Sequence, residues 1–424
     1  MLHLIKVLKE LKVASCKSFN KSDKGFTLVE LLVVIGILAA LATAVVVVIN
    51  PMEMLRQGRD AIRMEEIGML HKALSLFQVD RPTDSMGIAN RIYVSIPDTS
   101  STCANLGLPA LPTGWFYHCV AATNLRNTNG TGWIPINFTT MFQGSPFASL
   151  PVDPINTVAL GAFYVFVTDG RTWTLASLLE SEKYTPSALR DGGTDFTRFE
   201  AGNNLALWTT ASGLVGYWSF DNPTLGTGGI RDSALNNHGT LHNATLAEAQ
   251  VPGVVGGALR FDGVNDFVAL TSQPPISGGF TFEAWAKRKS DSSFAQSIFN
   301  NNQFFLRTQQ EPENPNNPFE AFVRLSDGSV EPRIISGIAA TIEQWFYVVV
   351  TWDKVTLRIY VDGVLRGSRT RAMELTSTTI EARIGRGMMT SVDFTPFNGL
   401  IDEVRIYNRA LSATEIMANF NATK

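Results

Sequence analysis

The chain has 424 residues, of which 45% are apolar and 17% charged, with 35 basic and 38 acidic side chains and a formal net charge of −3. This length exceeds that of one ordinary domain, so we expect two or three domains. The first 25 residues hold six lysines and two acids, and without them 29 basic and 36 acidic residues remain, a formal charge of −7. An acidic remainder gives no reason to expect a nucleic-acid partner.

An uncharged apolar run from Leu31 to Ile49 dominates the N-terminal part of the chain. A helix of these 19 residues, at about 1.5 Å per residue, comes close to the thickness of a bilayer's hydrocarbon core. Lysines before the run and a large segment after it indicate a cytoplasmic N-terminus and an exported remainder. The sequence therefore predicts a single-pass membrane protein whose C-terminal part is exported.

The residues just before this run carry a processing signal. A secretory signal peptide would have a small-residue cleavage site after the apolar run, and the sequence shows no clear break there. The heptapeptide Lys24–Glu30, KGFTLVE, resembles the class III signal of type IV pilins and type II secretion pseudopilins. That resemblance implies cleavage after Gly25 by a prepilin peptidase, N-methylation of Phe26, and assembly with other pilin subunits through the N-terminal helix.

Glu30 is the candidate assembly residue. A carboxylate at the start of an apolar helix is costly in lipid unless it has a partner. In a bundle of subunits, Glu30 could neutralise the α-amine that cleavage creates at Phe26 of a neighbour. The alternative is a glutamate at a helix start that the helix dipole stabilises and that reaches the membrane interface.

The helix is expected to continue beyond Pro51, because four apolar residues recur there at helical spacing. These residues are Ile67, Leu70, Leu74 and Phe77. We therefore predict one helix over residues 26–79, kinked near Pro51, with a membrane part at about 26–50. The four apolar residues should pack on a soluble head. The charged residues of this segment are expected on a solvated face, with ion pairs between subunits as the alternative: Arg56, Arg59, Asp60, Arg63, Glu65 and Glu66.

Residues 80–205 are expected to form an α+β head, because short strand-like pieces alternate with turn residues. The predicted strands are Arg91–Ile96, Trp115–Ala121, Phe163–Thr168 and Trp173–Leu179, the last two joined by a hairpin turn at Asp169–Arg171. We interpret the polar residues 185–205 as a linker with a possible last strand at Leu205–Trp208, and place the linker between the head and the C-terminal domain at 206–213. The segment LPVDP at 150–154 resembles one in major pseudopilins, where a neighbouring loop can bind calcium; Asp153 is the weak candidate here.

The chain has three cysteines. Cys16 lies in the basic leader, residues 1–25, which cleavage would remove. Cys103 and Cys119 remain as an even pair in the exported part, where an oxidising compartment would let them form a disulfide. The alternative is two free thiols in a core.

From residue 214 to 424 the pattern changes to an all-β one. Runs of alternating apolar residues recur without intervening helices, which predicts an antiparallel two-sheet sandwich. The predicted strands are Leu214–Phe220, Ala258–Phe261, Phe267–Leu270, Phe280–Lys287, Phe304–Arg307, Phe319–Leu325, Trp345–Trp352, Thr356–Val361, Glu381–Ile384 and Gly399–Tyr407. A capping box at Ser412–Glu415 predicts a short closing helix to Phe420. The four tryptophans in these strands are expected in the core.

Five phrases of this region, in order, resemble the laminin-G-like, concanavalin A-like jelly rolls: GYWSFD at 216–221, GALRFDG at 257–263, TWD at 351–353, IYVDG at 359–363 and GLIDEVRIY at 399–407. Relatives often hold a structural calcium ion. The positions that correspond to its ligands here are Asp221, Asp262 and Asp402, with Asn265 as a further candidate.

Three readings of the sandwich stay open, since fold does not determine function. It is a carbohydrate- or protein-binding module, a structural spacer, or a glycosidase. A glycosidase needs two carboxylates across a cleft, and adjacent Asp402 and Glu403 are expected on opposite faces of a strand. We therefore expect no enzyme activity and assign no catalytic residue. The polar loop Gln309–Pro318 is a candidate contact surface.

Together these features predict a minor pilin or pseudopilin-like subunit at the cell surface, in a pilus or pseudopilus, that displays a laminin-G-like module for adhesion. The alternative is a membrane-anchored surface binding protein that does not polymerise. The expected partners are prepilin peptidase, other pilin subunits, the membrane, and a surface glycan or protein.

Overall fold

A computed structural model of the chain describes residues 27–188, 190–195, 197–221, 229–276, 278–290, 295–308, 318–389 and 392–424. The chain divides into two compact units, residues 1–55 and residues 56–424. The described α-helices are α1 (Leu28–Ile49), α2 (Pro51–Asp80), α3 (Thr185–Ala188), α4 (Ala206–Ser212), α5 (Leu246–Ala249) and α6 (Ala413–Thr423).

The predicted N-terminal helix is present as α1 and α2. Asn50 interrupts it with a left-handed backbone, φ 42°. Pro51 follows as the first residue of α2, a position where its missing N–H group has no intrahelical partner to lose. Where the sequence analysis expects a membrane part at about 26–50, no helix among the described residues is long and apolar enough to count as a membrane span.

The head contains a five-stranded sheet in the order β2-β1-β3-β4-β5. Its strands are β1 (Arg91–Val94), β2 (Phe116–His118), β3 (Tyr164–Thr168), β4 (Trp173–Leu178) and β5 (Arg198–Gly202). Strands β1 and β2 run parallel, and the other neighbours run antiparallel. The four strands that the sequence predicts between residues 91 and 179 are confirmed, and so is the hairpin between β3 and β4.

Helix α2 packs on one face of this sheet. Its apolar residues Ile67, Leu70, Leu74 and Phe77 are at most 3% exposed, as predicted. They share a core cluster with Phe166 and other residues of the sheet. Burial of this stripe is what holds the helix on the head.

The expectation that all charged residues of α2 are solvated is wrong, because Asp60 and Arg63 are fully buried. Arg63 donates from Nε to Asp153 Oδ2 at 2.7 Å and from Nη1 to Asp60 Oδ1 at 2.8 Å and Glu180 Oε1 at 2.6 Å. Asp60 also accepts the backbone N–H groups of Glu180 and Ser181. A buried charge is tolerated only when it is paired and hydrogen-bonded in this way. This ion cluster ties α2 to two loops of the head.

The expected linker at 185–205 and the expected strand at Leu205–Trp208 are wrong. Strand β5 lies within the first segment and pairs with β4, and Leu205–Trp208 falls at the start of α4. Glu200 of β5 accepts the backbone N–H groups of Thr194 and Asp195, so the polar residues of this region satisfy one another in an ordered loop. Composition alone therefore suggested a linker where the chain forms an edge strand.

The disulfide between Cys103 and Cys119 is present, with an S–S distance of 2.10 Å. Both cysteines are buried in a second cluster of the head, which lies on the sheet with Ile92, Val165 and residues of α4. The bridge therefore holds a loop-rich part of the chain against the sheet.

The C-terminal region is the predicted antiparallel sandwich. One sheet of eight strands has the order β19-β18-β17-β12-β23-β10-β9, with β6 also paired to β23, and the other has the order β16-β15-β14-β13-β20-β11-β8-β7. The described strands are β6 (Leu214–Trp218), β7 (Gly229–Ile230), β8 (Gly239–His242), β9 (Gln250–Pro252), β10 (Gly257–Asp262), β11 (Phe267–Leu270), β12 (Phe280–Arg288), β13 (Gln296–Asn300), β14 (Phe304–Thr308), β15 (Pro318–Val323), β16 (Arg333–Ala339), β17 (Trp345–Trp352), β18 (Thr356–Val361), β19 (Val364–Thr370), β20 (Arg383–Ile384), β21 (Arg386–Met389), β22 (Val392–Pro396) and β23 (Asn398–Tyr407).

The ten strands that the sequence predicts in this region are confirmed, whereas β7, β8, β9, β13, β16, β19, β21 and β22 were not predicted. A large apolar cluster fills the space between the two sheets and includes Trp218 and Trp352, both fully buried. Helix α6 begins at the predicted Ser412–Glu415 capping box. It covers the outer face of the first sheet, where Trp285 Nε1 donates to Thr423 Oγ1 at 3.0 Å.

A single glycine joins the head to the sandwich. Helix α4 ends at Ser212, Gly213 has a left-handed backbone with φ 87°, and β6 begins at Leu214. Asn408 N donates to Gly213 O at 2.8 Å, and Arg409 Nε donates to Ser212 O at 2.6 Å. The sandwich is therefore fixed to the head by hydrogen bonds at the junction, and the predicted linker at 206–213 is a helix plus one residue.

Candidate functional site

The N-terminal processing site begins before the described residues. Gly25 and Phe26 lie outside them, and Glu30 lies in the first turn of α1. Glu30 Oε2 accepts from both Thr27 N and Thr27 Oγ1 at 2.9 Å, and Glu30 N donates back to Thr27 Oγ1 at 3.3 Å. This is a capping box, which stabilises the helix start within one chain. The pairing of Glu30 with a neighbour's amine stays a prediction.

A row of exposed apolar side chains runs along the outer face of α2. Ile62, Met69 and Leu76 are 45%, 42% and 59% exposed. Their spacing of seven residues brings them to nearly the same side of the helix, away from the buried stripe. The row is not among the predicted functional residues, although its seven-residue spacing is visible in the sequence.

Two of the four candidate calcium ligands in the sandwich meet at one loop. Asp221 Oδ1 accepts from Gly257 N at 2.7 Å, and Asp402 Oδ2 accepts from Val254 N at 2.8 Å. Asp402 is fully buried, and its Oδ1 atom has no hydrogen-bond partner among the described residues. The 253–257 loop therefore holds two carboxylates close enough to affect each other's charge.

The other two candidates lie elsewhere. Asp262 Oδ1 accepts from Val264 N at 2.7 Å and Asn265 N at 3.1 Å, and so closes its own turn. Asp262 pairs with Asn398 on β23, four residues before Asp402, which is a separation of about 13 Å along a strand. The four residues do not form one ligand group, and no set of three or more His, Cys, Asp or Glu among the described residues is placed to hold a metal ion.

Asp153, the weak candidate in the head, has both carboxylate oxygens engaged. Oδ2 accepts from Arg63, and Oδ1 accepts from Arg63 Nη2 at 3.1 Å and from Ile155 N at 2.8 Å. A cation at this position would have to displace a buried arginine. Calcium binding stays a prediction.

The expectation that Asp402 and Glu403 face opposite sides of β23 is wrong. A β-bulge lies here: Trp285 pairs with Asp402 and Glu283 with Arg405, and Glu403 has a left-handed backbone with φ 54°. The bulge turns both carboxylates to the face that α6 covers, where Tyr217 Oη donates to Glu403 at 3.3 Å. Both side chains are at most 2% exposed. This acidic pair is thus enclosed in the protein rather than set across an open cleft.

Burial is the main influence on the pKa values of Asp402 and Glu403. Loss of solvent raises the pKa of Asp402 to about 8, and the nearby Asp221 charge adds to the rise, although the N–H groups of Val254 and Val255 oppose it. Burial also raises the pKa of Glu403 well above its ordinary value. Asp402 is therefore predominantly protonated at neutral pH unless a cation replaces the proton.

Three of the four sandwich tryptophans are buried as expected, and Trp345 is not. Trp218, Trp285 and Trp352 are at most 5% exposed, and Trp345 is half-buried with the Lys287 ammonium 5.3 Å from its ring centroid. Among the Phe, Tyr and Trp residues of the sandwich whose side chains are described, none is exposed; the exposed His242 ring stacks on Phe267 with centroids 4.6 Å apart. The candidate loop Gln309–Pro318 lies outside the described residues except for Pro318, which begins β15.

Comparison with known families matches the chain in two places. The model of the prokaryotic N-terminal methylation motif matches residues 20–46. The model of the concanavalin A-like lectin/glucanases superfamily matches residues 262–417. The predicted combination is confirmed. The chain joins a prepilin-type N-terminal motif to a laminin-G-like, concanavalin A-like β domain. A search of curated proteins finds no match.

Several solved structures are similar to about half of the chain. Domain 4 of a GH43 extracellular arabinanase from Geobacillus stearothermophilus, in complex with arabinotriose, is 20% identical, with a TM-score of 0.39, over 50% of this chain and 98% of that chain. The binding domain of Paraclostridial mosquitocidal protein 1 is 16% identical, with a TM-score of 0.39, over 50% of this chain and 52% of that chain. The receptor binding domain of botulinum neurotoxin C/D mosaic serotype is 14% identical, with a TM-score of 0.38, over 50% of this chain and 51% of that chain. The chain spans about half the length of the latter two, and we draw no functional conclusion from likenesses at these TM-scores.

Asp402→Asn should change the pH dependence of stability. The folded pKa of Asp402 lies above the unfolded value, so its contribution to stability is fully present below about pH 4 and is lost as pH rises towards 8. An asparagine keeps an oxygen for the Val254 and Val255 N–H groups and carries no charge. In the presence of a chelator, the free energy of unfolding of the variant relative to that of the wild type should rise by about 4 kcal/mol between pH 5 and pH 8, measured as Tm and by denaturant titration.

Asp262→Asn is the matched control from the same candidate set. Although burial works against them, the N–H donors of Val264 and Asn265 lower the pKa of Asp262, so it stays ionised from pH 5 to 8 in both states. Its variant should therefore differ from the wild type by a constant amount over this range. If the stability difference between Asp402→Asn and the wild type also stays constant from pH 5 to pH 8, the raised pKa of Asp402 is contradicted.

A wild-type Tm that rises with added calcium, while the Asp402→Asn Tm does not, would support the calcium prediction at this loop.

Proposed function

We propose that this chain is a minor subunit of a type IV pilus or a type II secretion-type filament, and that it displays its sandwich as a binding module at the cell surface. In this proposal prepilin peptidase cleaves after Gly25, Phe26 becomes the N-methylated first residue, and Glu30 pairs with the amine of a neighbouring subunit. The helix holds the chain in the membrane before assembly. The methylation-motif match at residues 20–46 supports this first part.

The exposed row Ile62, Met69 and Leu76 is the observation that favours assembly over simple anchoring. A membrane anchor explains apolar residues only up to Ile49, since the residues after Pro51 belong to the exported part. Three large apolar side chains at seven-residue spacing on a solvent-facing helix are costly in a monomer and suit a second helix packed against them. A neighbouring subunit's helix is therefore the occupant we assign to this face.

The sandwich favours a minor subunit over a major one. It is larger than the head and is joined to it by Gly213 alone, with hydrogen bonds at the junction. A module of this size held in one orientation on every subunit would crowd a helical filament. Sparse or terminal incorporation avoids that crowding.

For the binding role, strand β19 offers the most suitable described surface. It is the edge strand of its sheet, and Arg366 and Arg369 on it are exposed. Neither forms an ion pair with any described residue, whereas Arg358 on the next strand pairs with Asp353 at 2.7 Å. Since no exposed Phe, Tyr or Trp among the described side chains of the sandwich offers a platform for sugar stacking, we infer that charge selects the ligand, and that it is an anionic glycan.

Met69→Glu tests assembly. A charge in the middle of the exposed row should oppose helix–helix packing and lower the amount of the chain in sheared surface filaments at least fivefold, while surface-exposed protein on whole cells persists. Immunoblots of the filament and cell fractions measure both quantities.

Ala61→Glu is the control for this variant, because residue 61 is also exposed but lies about 80° around the helix from residue 69. It should leave filament incorporation within twofold of the wild type. Normal incorporation of Met69→Glu would refute the assembly proposal and leave the anchored, non-polymerising surface protein as the better reading.

The paired change Arg366→Gln and Arg369→Gln tests the binding role. On a glycan array, the full chain should bind carboxylated or sulfated glycans in a salt-sensitive manner, and the double variant should lose at least tenfold in signal. Arg358→Gln, which removes an already paired arginine, should change binding less than threefold. Wild-type protein that binds no glycan on the array would instead favour the structural spacer.

A further inference from the structure

A cavity lies between the head and the sandwich, beside the glycine junction. Its volume is about 440 Å³, within the range of small-molecule pockets. The head contributes Ile92, Phe163 and Trp208, and the sandwich contributes Leu411 and the inner side of α6. The lining is mostly apolar, and a space of this kind loses packing contacts when nothing fills it.

The cavity has an entrance along α6. Leu160, Leu178 and Ala418 line both this cavity and a neighbouring groove that continues towards the end of α6. Leu160 is 60% exposed, which is unusual for a leucine beside an apolar cavity. A chain-like ligand could therefore enter past Leu160 and extend along the groove.

Arg198 places a buried positive charge in the cavity wall. It is 9% exposed, and its guanidinium lies over the rings of Phe163 and Trp208 at 4.9 and 5.6 Å. Nη1 donates to Phe163 O at 3.2 Å and Nη2 donates to Gly161 O at 3.0 Å. These neutral carbonyls orient the group but do not neutralise it, and Arg198 forms no ion pair with any described residue.

The other charges in the wall already have partners. Arg409 pairs with Glu415 at 2.7 Å. Asp195 accepts from Trp208 Nε1 at 2.9 Å and from Thr197 Oγ1 at 2.6 Å, so its oxygens hold the loop together. Asp195 thus has only neutral hydrogen-bond partners, and Arg198 is the one cation lining the cavity, within the described part of the chain, that forms no ion pair.

We propose that this cavity binds a single-chain amphiphile with one anionic head group, which pairs with Arg198 while the chain lies along Ile92, Leu160 and Phe163. A planar guanidinium pairs with carboxylate and phosphate alike, so the head group is a carboxylate or a phosphate monoester. A buried arginine without an acid is costly, and an anionic ligand would offset that cost. This proposal is independent of filament assembly and of the β19 surface.

Photo-crosslinking of the full chain tests the proposal. The probe is decanoate carrying a diazirine on its chain, and labelled peptides are identified by mass spectrometry. Label is expected on the 158–163 loop and on α6, which line the cavity and its groove. Unlabelled decanoate and decyl phosphate should compete for this label, and decanol should compete at least tenfold less well. The better of the two anions identifies the head group.

Three variants report on Arg198 and on the entrance. Arg198→Gln should lower labelling of the cavity peptides at least tenfold, and Arg198→Lys, which keeps the charge, should retain it within threefold. Leu160→Glu leaves Arg198 in place and sets a repelling charge at an exposed position, so it should also lower labelling. Labelling of α1 reports partition of the probe into lipid and should be the same in all four proteins. A melting scan confirms that each variant is folded.

The proposal fails if the cavity peptides of folded wild type take no label above the level of unrelated surface peptides. It also fails if folded Arg198→Gln and Leu160→Glu are labelled like the wild type. Competition by decanol as strong as that by decanoate would likewise overturn it, because the site would then recognise only the apolar chain.

Discussion

The buried Arg63 ion cluster is the constraint on which the functional account depends. Arg63 sits on the head-facing side of α2 and pairs with Asp60, Asp153 and Glu180. A buried pair that loses one partner costs about 3–5 kcal/mol, so α2 has little freedom to rotate or slide on the head. Because the rotation is fixed, the orientation of the exposed row Ile62, Met69 and Leu76, which lies about 120° around the helix from Arg63, is fixed too. The cluster thus determines which surface of the helix a neighbouring subunit would meet.

A second constraint acts at the other end of the head. The single residue Gly213 and the hydrogen bonds from Asn408 and Arg409 leave the sandwich no flexible tether. Any ligand held by the sandwich would therefore transmit force through the head to α2. The same close junction creates the cavity beside Arg198, since two domains joined this tightly meet across apolar surfaces that do not fill the space between them. The four residues of the calcium prediction, in contrast, lie in two separate places: Asp221 and Asp402 at the 253–257 loop, and Asp262 and Asn265 in the turn after β10.

Local signals were sufficient for much of the fold. The order of lysines, Gly25, Phe26 and the apolar run predicted the methylation motif, and period-two alternation predicted the central strands. Features that depend on distant partners were not predictable. Arg63 looked solvated because its acids lie 90 and 117 residues away. β19 is polar because this edge strand buries little surface, whereas Arg198 and Glu200 of β5 are buried polar residues whose partners lie elsewhere in the chain. The bulge at Glu403 is set by pairing with β12. For the candidate sites, the sequence indicates which residues could take part, but only the folded structure shows which of them lie close together.

Immunogold labelling of the sandwich on cells that carry surface filaments tests the central claim most directly. Antibodies against residues 214–424 should decorate the filaments at their tips or at sparse positions along the shaft, and the gold should be shed with the filaments on shearing. Gold confined to the cell envelope, with bare filaments, would contradict assembly. Dense gold along the whole shaft would contradict the minor-subunit role, because it would mean that the sandwich is carried by most subunits.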